Sequence, residues 1–200
     1  MSVTVDHRPL AAENLGLKTL GQVLAHLQKD NRLVVHVLID GEEPDLDHLP
    51  QVKQSPVAGH TVFIETADPR QMAVEVLDEV ASQLDEADRL KTEAADLLQR
   101  NQNAPAMEKL AGCFTTWQHA QESILKTAQL LRIDLTLVRA SKLSMHELFN
   151  EFAKQLKAIR VALESRDFVT LSDLLLYETT ETSAQWRDAI ATMRKTILPN

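Results

Sequence analysis

Five of the seven histidines fall within the first 60 residues, at His7, His26, His36, His48 and His60. Asp45, Asp47 and His48 place three metal-ligating side chains on one short stretch. A metal needs ligands that converge in space, and neither H-x-x-x-H nor H-E-x-x-H spacing occurs, so this stretch reads as an acidic, solvated loop. His119 and Glu122 stand three apart on a predicted helix, the reverse of a Glu-x-x-His pair. A carboxylate-bridged di-metal bundle needs that pair on two helices plus further glutamates, and only one copy is visible. Cys113 is the only cysteine, which excludes an intrachain disulfide and a multi-cysteine zinc site. It lies too far inside a predicted helix for the helix N-terminus to lower its pKa, and it reads as a small core residue. His36, in an apolar strand, reads as a satisfied core or interface histidine. The familiar phosphate cradles and the hydrolase elbow are absent as motifs. No residue is therefore assigned a catalytic, cofactor-binding or metal-binding role, and no cofactor is expected.

Polar residues that interrupt apolar stripes are the remaining candidates. Lys91, Gln121 and Glu178 break helical stripes otherwise built from aliphatic and aromatic side chains. In an up-down bundle the first and fourth helices are neighbours. Lys91 lies about nine residues from the end of the first, and Glu178 about eight from the start of the fourth, at a rise of ~1.5 Å per residue. The two are predicted to share a level and pair, with Gly112 and Cys113 close by. A buried ion pair that fixes helix register is the expectation, with the lysine stem packed along its length. A polar pocket for a small ligand or metal, formed by Lys91, Glu178 and Gln121, is the alternative.

The elements that would position these residues follow from proline and glycine. Four of seven prolines and four of five glycines precede residue 60, and between Ala106 and Leu198 there is one glycine and no proline. Both residues disfavour helix interiors, so the change near residue 67 marks a boundary. A small α/β segment is predicted for residues 1–67 and helices for 68–200. Asp68-Pro69 opens the first long helix, and Ala104-Pro105 the second. Ser144 with Glu147 forms a capping box for the third. Thr170 with Asp173 is read as the opening of the fourth, which carries Leu171, Leu175, Glu178, Thr182, Trp186, Ile190, Met193 and Ile197. Four such stripes joined by short turns predict an antiparallel up-down four-helix bundle.

Ahead of the boundary, Thr19 caps a short helix from Leu20 to Lys29. Arg32–Asp40 and Thr61–Glu65 read as strands, the first on its apolar run Leu33–Ile39, and Ser2–Asp6 as a third. Residues 40–59 read as a loop with at most one helical turn. The fold class is α+β, mainly α: a small β-α-β-β segment followed by the bundle.

One stretch carries a resemblance. Asp173-Leu174-Leu175-Leu176-Tyr177-Glu178 resembles the last-helix pattern of an uncharacterised bacterial family, Asp-Leu-Leu-x-Tyr-Glu. Val37-Leu38-Ile39-Asp40-Gly41 resembles that family's front segment. The resemblance implies a small α/β front segment with a C-terminal helical bundle, and it implies no activity. From the residues themselves, Asp173 and Tyr177 lie one turn apart on one helix face and are read as a domain-docking pair.

Composition bounds the function. The 200 residues carry 21 basic and 29 acidic side chains, net charge -8, with 4% aromatics. That balance argues against a dedicated nucleic-acid binder, and the scarcity of aromatics leaves little for base stacking. No apolar run reaches the ~18 residues of a membrane span, and no secretory signal is expected in a start that holds Asp6, Arg8 and Glu13. The expectation is a non-catalytic, cytoplasmic protein-interaction or assembly module. Its protein partner is unknown, homodimerisation is allowed, and neither nucleic acid nor membrane is expected as a partner. A small-ligand sensor or carrier, with its pocket in the bundle or where the front segment joins it, is the first alternative. An enzyme of unrecognised type is the second.

Overall fold

A computed structural model describes residues 2–140 and 142–198. The chain divides into two compact units, Met1–Met72 and Ala73–Asn200. The class is α+β, with strands concentrated in the first unit and long helices in the second.

The first unit is built on a four-stranded sheet of order β2-β1-β4-β3. It comprises β1 (Ser2–Val5), β2 (Arg8–Leu10), β3 (Leu33–Ile39) and β4 (Thr61–Ala67). β1 lies parallel to β4, while β2 and β3 run antiparallel to their neighbours. Asp6 and His7 make the tight β1–β2 turn with positive φ, at 47° and 62°. The Asp6 carboxylate then accepts hydrogen bonds from the Thr66 backbone and hydroxyl and from Arg32, tying the turn to β4 and to the residue that precedes β3. β2 escapes a reading based on periodicity because three residues, one of them Pro9, show no alternation.

α1 (Leu20–Lys29) opens on a capping box formed by Thr19 and Gln22, and buries Leu20, Val23 and Leu27. These join Val3, Ala12, Val57, Val62 and Ile64 in one core. The connection read as loop contains a 3-10 turn (Leu46–His48) and a short helix, α2 (Leu49–Gln54). α2 sits close to α1 at Gly21, where a Cβ would lie 2.8 Å from the Lys53 carbonyl oxygen. Only glycine allows that approach without displacing backbone.

The second unit holds most of α3 (Pro69–Gln99), all of α4 (Asn103–Leu131), α5 (Met145–Ser165), α6 (Phe168–Asp173) and α7 (Thr179–Ile197). The α4–α5 connection carries a two-stranded hairpin of β5 (Arg139–Ala140) and β6 (Leu143–Ser144). Ser144 and Glu147 form the capping box of α5. The last helical run starts one turn earlier than the sequence reading placed it, because the Asp167 carboxylate caps the Thr170 N–H. Between α6 and α7 the chain makes a π-helical turn, Leu174–Glu178. Such a turn accommodates one more residue than an α-helical turn and shifts every later side chain around the axis.

Two apolar clusters fill this unit. One gathers Trp117 of α4, Phe149 and Phe152 of α5 and Trp186 of α7. Trp117 stacks on Phe152 at 4.3 Å, and Trp186 meets Trp117 edge-on at 4.7 Å, a pairing that adds geometric preference to area burial. The other cluster packs Ala94, Ala95 and Leu98 with Leu110, Ile159 and Leu171.

Candidate functional site

The sequence-selected polar residues separate in the second unit. Lys91 is 2% exposed. Its Nζ donates to Asp88 Oδ1 at 2.7 Å, one turn back on α3, and to Thr180 Oγ1 at 3.0 Å on α7. Asp88 Oδ1 also accepts from Ser183 Oγ at 2.7 Å, and Asp88 Oδ2 from Arg187 at 2.9 Å. Burial pushes the Asp88 carboxyl up, but the hydrogen bonds from Lys91 and Ser183, with the charge of Lys91, outweigh it and hold the group below its ordinary value. The result is a closed ionic cluster that joins α3 to α7, as a buried charge requires.

Glu178 has no part in that cluster. Its side chain is exposed, and only its backbone carbonyl is engaged, by Gln155 and Thr182. The Lys91–Glu178 pairing read from the sequence is thus replaced by Lys91–Asp88. The extra residue of the π-helical turn moves Glu178 off the buried stripe and puts Thr179 there instead. Gln121 is half-buried on α4. Asp173 is exposed, and Tyr177 is 71% exposed. Cys113 is buried, its thiol donates to the Ala87 carbonyl, and burial pushes its pKa up to about 12. At Gly112, beside it, an added Cβ would lie 3.4 Å from Leu90 Cδ1 of α3, an ordinary contact that does not require glycine.

Three of the dispersed histidines pair separately with carboxylates. His36 meets Glu43 at 2.9 Å and Glu65 at 3.7 Å, His48 meets Asp45 at 2.8 Å, and His60 meets Asp40 at 2.7 Å. Among the described residues, no group of three or more His, Cys, Asp or Glu side chains is placed to hold a metal ion.

The concave feature of the first unit was not legible in the sequence. A groove of about 510 Å³ runs between α1, α2 and the outer edge of β3. Leu24, Val35, Val37, Pro44, Leu49 and Val52 give it apolar walls, and His36, Glu43 and Lys53 stand among them. Its origin is local. After β3, Asp40 and Gly41 turn the chain with positive φ, and Glu42 exchanges two backbone hydrogen bonds with Ile39. Pro44 then lacks the N–H needed to continue that ladder, and the chain leaves the strand for α2. Among the described residues, β3 is therefore an edge strand whose outer side pairs at Ile39 with Glu42 and with no strand upstream. Period-two alternation points the Val37 backbone groups to the same outer side as those of Ile39. The register shifts between Val34 and His36, which leaves Val35 bulged and 49% exposed.

A protein-family model described as Domain of unknown function (DUF8042) matches residues 75–189. No curated protein and no solved structure matches the chain. The matched span contains the Lys91–Asp88 cluster and the Asp-Leu-Leu-x-Tyr-Glu stretch, and the groove lies outside it.

Proposed function

The chain belongs to that family of domains of unknown function, its match covering more than half of the residues, and from that premise we propose that the protein is a non-catalytic protein-interaction or assembly module. One observation carries the reading: the outer edge of β3 offers unpaired backbone beside an apolar groove. A strand edge of this kind templates pairing with another chain, and a groove beside it supplies side-chain selectivity.

The second unit is the scaffold in this proposal, an antiparallel up-down four-helix bundle of α3, α4, α5 and the α6–α7 run. Support comes from contacts in which numbers rise on one helix as they fall on the next. On α3 and α4 these are Glu93 with Lys109 and Ala87 with Cys113. On α3 and α7 they are Asp88 with Ser183 and Asp78 with Arg194. The scaffold is proposed to begin at residue 68, after a front segment of residues 1–67. Asp173 and Tyr177 are retained as a docking pair on its surface, and a bacterial, cytoplasmic setting belongs to the same proposal. No described helix is long and apolar enough to cross a membrane.

A photoreactive amino acid placed at Val35, and in a control at exposed Val161 on α5, tests the reading in the native host. The expected result is a protein adduct of one defined mass from position 35 and none from position 161. Equal labelling at both, or none at 35, would refute it.

A further inference from the structure

The chemistry around the groove specifies what it takes. The loop that leaves β3 carries Asp40, Glu42, Glu43, Asp45 and Asp47, five carboxylates in eight residues with no lysine or arginine among them. Glu43 lines the groove, and its side chain is 75% exposed although it contacts His36. Glu65, on the other side of His36, is 45% exposed. Against these, Lys53 is the one lysine or arginine among the described residues that line the groove. The wall is thus apolar, its rim is acidic on the side of Glu43 and the loop that follows β3, and its floor includes the outer edge of that strand.

Resting on the interaction-module reading, we infer that the groove takes an extended peptide segment of another protein, which pairs with the outer edge of β3 between Leu33 and Val37. Alternate apolar side chains of that segment enter between Leu24, Val52 and Leu49, and a lysine or arginine faces Glu43. A strand satisfies the Val37 backbone groups, which a helix cannot do because its own N–H and C=O groups are internally bonded. A second copy of this chain is disfavoured by charge. An isologous contact sets the same patch against itself, so the acidic rim would confront its own image.

The test uses the full chain and three synthetic ten-residue peptides, followed by two-dimensional NMR and amide exchange. The first alternates valine with threonine and ends in lysines, the second replaces the lysines with glutamates, and the third carries the basic composition with prolines at alternate positions. Expected is saturable binding of the basic peptide, tighter than the acidic one by about five- to tenfold, the range of one exposed ion pair gained in the first and one like-charge contact made in the second. It should slow exchange of the Val37 amide, and the proline peptide should not bind. Glu43→Lys should remove or reverse the charge preference, and it sits on the surface where folding is unaffected. Equal affinity for basic and acidic peptides, shifts located elsewhere, or binding of the proline peptide would overturn the inference. So would a concentration-dependent dimer that already protects Val37 in the absence of peptide. If position 35 yields its adduct in the host while every peptide fails here, the occupant is wrong and the module reading stands.

Discussion

Removing Asp88 should cost far more than removing Lys91, although the two form one ion pair. In Asp88→Ala the Lys91 ammonium stays 2% exposed and keeps only Thr180 Oγ1 among its two partners. An uncompensated buried charge of this kind costs about 3–5 kcal/mol. In Lys91→Met the apolar stem is replaced at similar volume. Asp88 keeps Ser183 and Arg187, and its side chain is 22% exposed, so water can reach it. That change should cost about 1 kcal/mol or less. The double variant should recover roughly 2 kcal/mol or more relative to Asp88→Ala, because the stranded charge is gone. Urea unfolding reads all three. At a slope of about 2 kcal/mol per molar, the two single-variant midpoints should differ by about 1 M or more with the slope unchanged. Equal midpoints, or a larger loss for Lys91→Met, would show that Asp88 is not the counter-ion that keeps Lys91 buried.

Other expectations concern the same scaffold and the front unit. The Asp88 carboxyl sits below its ordinary value of 3.8, so the stability it contributes is present above that pH and lost as pH falls through the folded-state value. Between about pH 5 and pH 3, Asp88→Asn should lose less stability than the wild type, measured as urea midpoints at each pH. With its pKa pushed up to about 12 and its side chain buried, Cys113 should resist iodoacetamide in native protein and react on unfolding in denaturant. Gly21→Ala should destabilise the first unit by about 1–3 kcal/mol, since its Cβ meets backbone of α2, and thermal unfolding would report it. Ser144→Ala should cost about 1 kcal/mol by opening the capping box of α5, again read from the urea midpoint.

Local signals announced much of this fold. Thr19 with Gln22 and Ser144 with Glu147 fix helix starts through side chains three residues apart, and both boxes form. The strands Leu33–Ile39 and Thr61–Ala67 carry enough β-branched residues to be recognised alone. The π-helical turn at Leu174–Glu178 was not legible, because its residues suit an ordinary helix and the choice is made by packing. Glu178 lies exposed at the end of that turn, and the carboxylate that meets Lys91 is Asp88 of its own helix. Asp88 carries no signal of its own in the sequence: it stands one turn before Lys91 among other charged residues, and its role depends on Ser183 and Arg187 reaching it from α7. The groove was hidden at a further level. It needs α1, α2 and the edge of β3 together, and the six residues of α2, with Pro50 at their start, are too short to show a helical period. Pro44 was the available signal, as a residue that stops a hairpin ladder just after it begins.

Amide exchange along β3 in the isolated chain tests the central claim most directly. Alternation gives the Leu38 N–H to β4 and turns the Val37 N–H outward. If the outer edge is free for a partner, Val37 should exchange at least about a hundredfold faster than Leu38 under native conditions. Comparable protection of the two amides would mean that the edge is already covered, and the proposed docking surface would not exist.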